Sequence, residues 1–227
     1  MTYSDNLISF LQSVPLFHKL PAREVQRLAK DCQRRSFEEG TFIFYEGQQG
    51  TTCHIILRGK VRVFTIGEDG KELAMRLLGP GEIIGEMALF EDLPRSANVI
   101  TLEWTETIEL DRAILLEFLR RYPDMALGLL KALSARLRQT NEDAEWLASL
   151  PVTDRLLLQL RRLASWSSTP THDGVRILPP MTQNELASLI GTSRESVNRA
   201  LVRLREEGKV RLEDGWVILL GDPQNRN

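Results

Sequence analysis

Cysteine is scarce in this chain of 227 residues: only Cys32 and Cys53 occur. Two thiols exclude a disulfide framework, and they exclude a four-cysteine zinc or iron–sulfur site within one chain. Histidine is nearly as rare. His18, His54 and His172 are far apart in sequence, so each reads as a packing or surface residue rather than a metal ligand. No apolar run approaches the ~18 residues of a membrane-spanning helix. The N-terminus has Asp5 early and no basic stretch, unlike a secretory leader. A cytoplasmic location with no membrane partner is expected. Nor is one sign of charge in excess: 29 Lys+Arg face 31 Asp+Glu, a net charge of −2, which excludes a generally basic nucleic-acid binder. Paired base and nucleophile, metal cluster and phosphate-loop lysine motif are all missing, so no enzyme is expected.

The rest is ordinary for a globular protein, with 42% hydrophobic and 26% charged residues in a length that suits one large or two modest domains. Residues 1–30 carry helical spacing, with Leu7, Ile8 and Leu11 on one face and Val25, Leu28 and Ala29 on another. Pro15 and Pro21 break the pattern between them. From Gln33 to Leu110 the texture changes. Short aliphatic and β-branched runs at 41–45, 54–57, 61–65, 73–78 and 97–101 are punctuated by nine of the 15 glycines. That pattern predicts a sandwich, barrel or jelly roll, with Gly67-Glu68-Asp69-Gly70 as a hairpin connection.

Helical period returns at Arg112–Tyr122, ended by Pro123, and again over Asp124–Leu150. In the longer segment Ala126, Leu130, Leu133, Leu137, Thr140, Ala144 and Leu147 alternate spacings of four and three. This is a heptad seam, read as a homodimer interface. Thr140 and Asn141 are polar residues in and beside it, placed to set register or to touch a ligand at the interface. Pro151 marks a boundary. Val152–Trp166 predicts a helix burying Leu156, Leu157, Leu160 and Leu163, and 165–174 reads as a polar loop.

Two stretches carry chemistry. Gly85-Glu86-Met87-Ala88-Leu89 and Arg95-Ser96-Ala97 put a carboxylate, backbone amides and an arginine in one tight region. A guanidinium offers a planar fork to phosphate oxygens, a carboxylate can accept from a sugar hydroxyl, and turn amides bind anions. The second stretch begins at Thr182-Gln183-Asn184-Glu185, a capping box, and Thr192-Ser193-Arg194-Glu195 reads as another. Ala187, Leu189, Ile190 and a turn-forming Gly191 lie between, and Val197 is expected in a small core: a helix-turn-helix. Arg194, Glu195, Asn198 and Arg199 occupy the early exposed positions of the second helix, where arginine reads guanine and glutamate reads cytosine. Thr182 and Ser193 stand at the helix starts as further DNA-contact candidates. Asp214-Gly215 between Lys209–Glu213 and Trp216–Leu220 predicts a hairpin wing. Residues 152–227 carry 11 Lys+Arg against 9 Asp+Glu, the more basic part of the chain.

In this order of motifs the chain resembles the Crp–Fnr superfamily of bacterial transcription regulators, and within it the cyclic AMP receptor proteins. The resemblance implies an α+β fold. Residues 1–123 would be a cyclic-nucleotide-binding β-roll, 124–150 a dimerisation helix and hinge, and 151–227 a winged helix-turn-helix. It implies that Glu86 binds the ribose 2′-hydroxyl, and that Arg95 pairs with the cyclic phosphate, assisted by Ser96 and the Ala88 amide within Gly85–Ala88. Thr140 and, from the second subunit, Asn141 would meet the adenine. It further implies cyclic AMP as allosteric ligand, double-stranded DNA with TGTGA-like half-sites as target, and RNA polymerase as partner, met through 165–174. The family's iron–sulfur sensors need a cysteine cluster missing here, and no axial pair for haem is evident. Some members with similar cassettes respond to cyclic di-GMP or bind DNA without a nucleotide.

Overall fold

The computed structural model describes residues 3–68, 70 and 72–221. Met1, Thr2, Asp69 of the expected hairpin connection and residues 222–227 of the expected C-terminal domain lie outside the described residues. The chain runs α1 (Tyr3–Ser13), α2 (Ala22–Asp31), β1 (Gln33–Phe37), β2 (Phe42–Phe44), β3 (Thr52–Arg58), β4 (Val61–Ile66), β5 (Glu72–Leu78), β6 (Ile83–Ile84), α3 (Met87–Glu91), β7 (Asn98–Thr101), β8 (Thr105–Asp111), α4 (Arg112–Arg121), α5 (Pro123–Ser149), α6 (Val152–Trp166), β9 (Ser168–Pro170), β10 (Gly174–Ile177), α7 (Gln183–Leu189), α8 (Arg194–Glu206), β11 (Val210–Glu213) and β12 (Trp216–Leu220). It divides into two compact units, Met1–Thr65 with Met75–Gln139, and Ile66–Ala74 with Thr140–Asn227. Among the described residues no helix is long and apolar enough to cross a membrane.

The first unit is built on two four-stranded sheets, ordered β1-β8-β3-β6 and β2-β7-β4-β5. Strand alternation sorts the side chains of the first sheet between two cores. Cys53, Ile55, Ile108, Leu110 and Ile83 face one way, into a cluster with Leu11, Phe17, Leu28, Leu115, Phe118, Met125 and Leu129 from the helices. Ile56 and Ile84 face the other way and join Phe44, Val61, Leu78 and Val99 of the second sheet inside the roll. Three strands of this unit escaped sequence pattern: β1, β6 and β8. The last is central to its sheet, paired with both β1 and β3.

α5 is continuous from Pro123 to Ser149. Met125 and Leu129 are buried in the core of the first unit. Leu133, counted in the heptad seam, also packs against that core rather than standing free. Its place at i+4 from Leu129 puts it on the same helical face. Leu130 and Leu137 remain 58% and 62% exposed, and Leu147 is exposed as well.

In the second unit α6 buries Leu156, Leu157, Leu160 and Leu163 as spaced. The expected polar loop at 165–174 is instead the end of α6 and a strand pair. β9 pairs with β10, opposing Pro170 to Val175, and only 171–173 turn. Proline is tolerated there because β9 is an edge strand and its missing N–H faces no partner. The wing is correspondingly larger than a two-stranded hairpin, a sheet ordered β11-β12-β10-β9. Its Asp214-Gly215 turn has φ of 49° and 81°, the left-handed pair that matches strand twist.

Phe118 is 1% exposed where α4 meets the helical core. Phe118→Ala should therefore cost about 3–5 kcal/mol. The expected reading is a lower urea midpoint at unchanged slope.

Candidate ligand site and nucleic-acid interface

Gly85 turns the chain out of β6 with φ of 78°, and Glu86 precedes the one-turn helix α3. Glu86 is 3% exposed. Its carboxylate is paired with Arg136 of α5, whose other nitrogen donates to the Ile83 carbonyl at 2.6 Å. Arg76 of β5 donates to the Arg136 carbonyl at 3.0 Å. The segment 85–97, the cassette, is thus fastened to α5 by its own acid. Arg136 was missed in the sequence, although it precedes Thr140 by one helical turn and so shares its face.

Arg95 is 6% exposed. Its Nη1 donates to the Gly85 carbonyl at 2.6 Å and its Nη2 to the Thr52 carbonyl at 2.7 Å. Its backbone is tied to the 47–48 loop by two hydrogen bonds, Gly47 N to Arg95 O and Arg95 N to Gln48 O. Burial pulls its pKa down, and neighbouring Cys53 and Glu86 oppose that. Among the described residues no carboxylate lies within ion-pair distance of it. Ser96 is exposed, with its hydroxyl 3.8 Å from the Met87 sulfur. Ala88 is buried and Met87 exposed. The structure therefore brings Gly85, Glu86, Met87, Ala88, Arg95 and Ser96 together. Thr140 and Asn141 lie on α5, four and five residues past Arg136, and both are exposed.

Behind Arg95 sits His54. Its Nδ1 is 2.8 Å from Thr107 Oγ1, its Nε2 is 3.4 Å from Glu109, and its ring meets Phe44 edge-on at 5.1 Å. Burial lowers its pKa to about 4; Glu109 opposes the shift, and Arg95 and Arg35 add to it. It is a core histidine. Among the described residues no cluster of three His, Cys, Asp or Glu could hold a metal. Burial also pushes the thiols up, Cys32 to about 12 and Cys53 further.

In the second unit α7 starts at a capping box. Thr182 Oγ1 accepts from the Glu185 amide at 3.2 Å, and the Glu185 carboxylate accepts from the Thr182 amide at 2.8 Å. α8 is capped differently from its sequence expectation. Ser193, not Thr192, is the cap, accepting from the Ser196 amide at 3.3 Å. Two adjacent hydroxyl residues offer either frame, and the start of the helix decides. Gly191 holds the turn with φ of 61°. Val197, Ala200, Leu201 and Leu204 are buried at i, i+3, i+4 and i+7. Arg194, Glu195, Asn198 and Arg199 are left facing out. Hydrogen bonds from its own amide and from Ser193 hold the Glu195 carboxyl below its usual range. Gln183, overlooked in the sequence, donates to Asn198 at 3.2 Å and links α7 to the second helix.

Comparison with known proteins gives the same two halves. Residues 34–122 match the cyclic nucleotide-binding domain model and residues 154–225 the Crp-like helix-turn-helix model. The cyclic AMP receptor protein of Thermus thermophilus is 38% identical over 91% of this chain and 93% of its own. The chain belongs to the Crp–Fnr family. It is similar to the CRP-like cAMP-activated global transcriptional regulator of Mycobacterium tuberculosis, at 32% identity over 92% of this chain and 93% of the relative. Among solved structures, the c-di-GMP-responsive global regulator CLP of Xanthomonas campestris superposes with a TM-score of 0.79 at 28% identity. That match covers 89% of this chain and all of CLP. This Crp–Fnr member is a DNA-binding transcription regulator of the cyclic-nucleotide-responsive type.

His54 makes stability depend on pH. Its folded pKa of about 4 lies below the ordinary value near 6.5. The unfolded chain binds the extra proton, so stability is full above about pH 6.5 and falls toward pH 4, by on the order of 3 kcal/mol. Urea midpoints from pH 7 to 4 should decline in that window, and His54→Gln should flatten the decline.

Proposed function

We propose that the chain is a homodimeric transcription factor activated by cyclic AMP, cytoplasmic, and reading palindromic TGTGA-like sites. The observation that carries it is the charge balance beside the cassette. Glu86 and Arg136 neutralise each other, while Arg95 is a buried cation without a carboxylate partner among the described residues. One uncompensated positive charge suits the single charge of a cyclic phosphodiester. Glu86 would accept from the ribose 2′-hydroxyl, and Ser96 and the Ala88 amide would assist Arg95. Thr140 and the second subunit's counterpart of Asn141 would meet the adenine.

The exposed leucines of α5 support the dimer, since an apolar helical stripe left in water favours pairing. In the dimer, ligand binding would shift α5 toward one of two arrangements. The favoured one would set the two α8 helices about 34 Å apart, one turn of DNA. Arg194, Glu195 and Arg199 would read bases, and Thr182, Ser193 and Asn198 would position the helix. RNA polymerase would be met through the surface around 165–174. Similarity to CLP favours a second reading, the same regulator responding to cyclic di-GMP.

Calorimetric titration with cyclic AMP, cyclic GMP and cyclic di-GMP separates these readings. Saturable cyclic AMP binding at one tight site per subunit, weakened at least about 100-fold in Arg95→Gln, is expected if a charge-assisted contact of about 3 kcal/mol is lost. Tight binding of cyclic di-GMP alone would favour the second reading, and no binding by any would leave only the DNA reader.

Arg194→Ala should weaken operator binding by about 1–3 kcal/mol and relax preference at one base pair. A mobility-shift series over single-base variants reads this. Equal loss on all sequences would make Arg194 a phosphate contact.

A further inference from the structure

Arg95 is held by features that its motif does not announce. Its guanidinium carbon lies 3.7 Å from the centroid of the Phe44 ring. Nη1 and Nη2 are engaged by the Gly85 and Thr52 carbonyls. Two glycines make room for it: a Cβ on Gly50 would fall 2.6 Å from Arg95 Cζ, and one on Gly85 would fall 2.5 Å from Nη1. Phe44 is itself 5% exposed, and its ring is held by the edge of His54. Of the three N–H groups these two bonds leave, the one on Nε is buried without a hydrogen-bond partner among the described residues.

A long side chain free in a wide roll would sample many rotamers and present its fork in many directions. Here the ring fixes the plane of the guanidinium, and the two carbonyls fix its rotation within that plane. The Nε edge is left with a buried donor, and a buried donor needs an acceptor. We propose that Phe44 is a positioning residue for anion recognition, clamping Arg95 so that its Nε edge meets the phosphate of the ligand. This rests on the reading of Arg95 as the phosphate contact. The ring contributes through the negative face of its π system, which an aliphatic side chain of similar volume lacks. Phe44 also belongs to the apolar cluster inside the roll. Leucine would preserve that burial and remove the clamp, which separates the two roles.

The experiment is calorimetry of the full chain with cyclic AMP, with urea midpoints measured for every variant. Wild type should bind, and Arg95→Gln should lose most of the affinity; these two results test the functional reading. Phe44→Leu should then lose roughly tenfold, and Phe44→Tyr, which keeps the ring, should stay within about threefold of wild type. Gly50→Ala offers a route that leaves Phe44 untouched. Gly50 has no left-handed backbone, and the three atoms nearest its new methyl all belong to the end of the Arg95 side chain, so the guanidinium should be pushed off the ring, with the urea midpoint checking that the fold persists. A loss of about tenfold is expected there too. In the Arg95→Gln background, titrated at millimolar nucleotide, Phe44→Leu should add less than about twofold, because coupled residues are not additive. Wild-type affinity in Phe44→Leu, or the same loss with and without Arg95, would overturn the inference and make Phe44 a wall of the roll. Failure of wild type to bind, or full affinity in Arg95→Gln, would instead overturn the functional reading, and the inference would fall with it.

Discussion

A carboxylate removed from water must meet a cation or a set of donors, and Glu86 meets Arg136. Much of the first unit depends on that pairing. Arg136 reaches the cassette because Met125, Leu129 and Leu133 seat the start of α5 against the helical core. The same guanidinium grips the Ile83 carbonyl, and Arg76 grips the carbonyl of Arg136 itself. β5, β6, the cassette and α5 are therefore bound into one hydrogen-bonded set. Any partner that competes for the Glu86 oxygens acts on α5, and α5 goes on to carry Thr140 and Asn141. A ligand can shift a helix only through contacts that differ between two arrangements. Glu86 is where such a difference can enter.

The reading helix is set up by a different economy. Four small or branched residues on one face of α8 fill the core, so the polar residues face out by default. Their geometry is then refined locally. Ser193 fixes the first turn, and Gln183 holds Asn198 from the preceding helix. Arg199 is engaged by Ser196 at 2.9 Å. A side chain already held would lose less freedom on meeting DNA.

Much of this was legible in the sequence, and the exceptions have physical causes. Gly85–Leu89 with Arg95–Ala97, the α8 spacing, Gly191 and Asp214-Gly215 all express local rules, in which a short segment states its own geometry. β8 does not. Thr105-Glu106-Thr107-Ile108-Glu109-Leu110-Asp111 sets acids between its strand formers, yet Glu106 is buried against Arg34 at 2.9 Å and Glu109 is paired with Arg35 at 3.0 Å. Those partners lie more than 70 residues away, and only the folded sheet supplies them. The pair β9–β10 was hidden by Ser, Thr and Pro, which signal a turn unless a neighbouring strand is present to use them. Nothing local marks Arg136, and what distinguishes it is the acid 50 residues earlier. Leu133 fits a heptad seam and a core face equally well, because helices share positions between adjacent faces.

The two arginines beside Glu86, Arg95 and Arg136, show why a motif alone understates a site. Arg136 pairs its charge with Glu86. Arg95 is given only carbonyl dipoles and an aromatic face, which stabilise a cation without cancelling its charge. His54 behind it is neutral near pH 7, because its pKa is about 4, so it adds no second positive charge. The result at Arg95 is a localised cation in a region of low dielectric, where an anion would feel it strongly. Burial at Arg95 costs stability, and an anion bound there as proposed would offset more of that cost. An unliganded fold that carries such a cost is poised to respond to its ligand, which is the property a sensor requires.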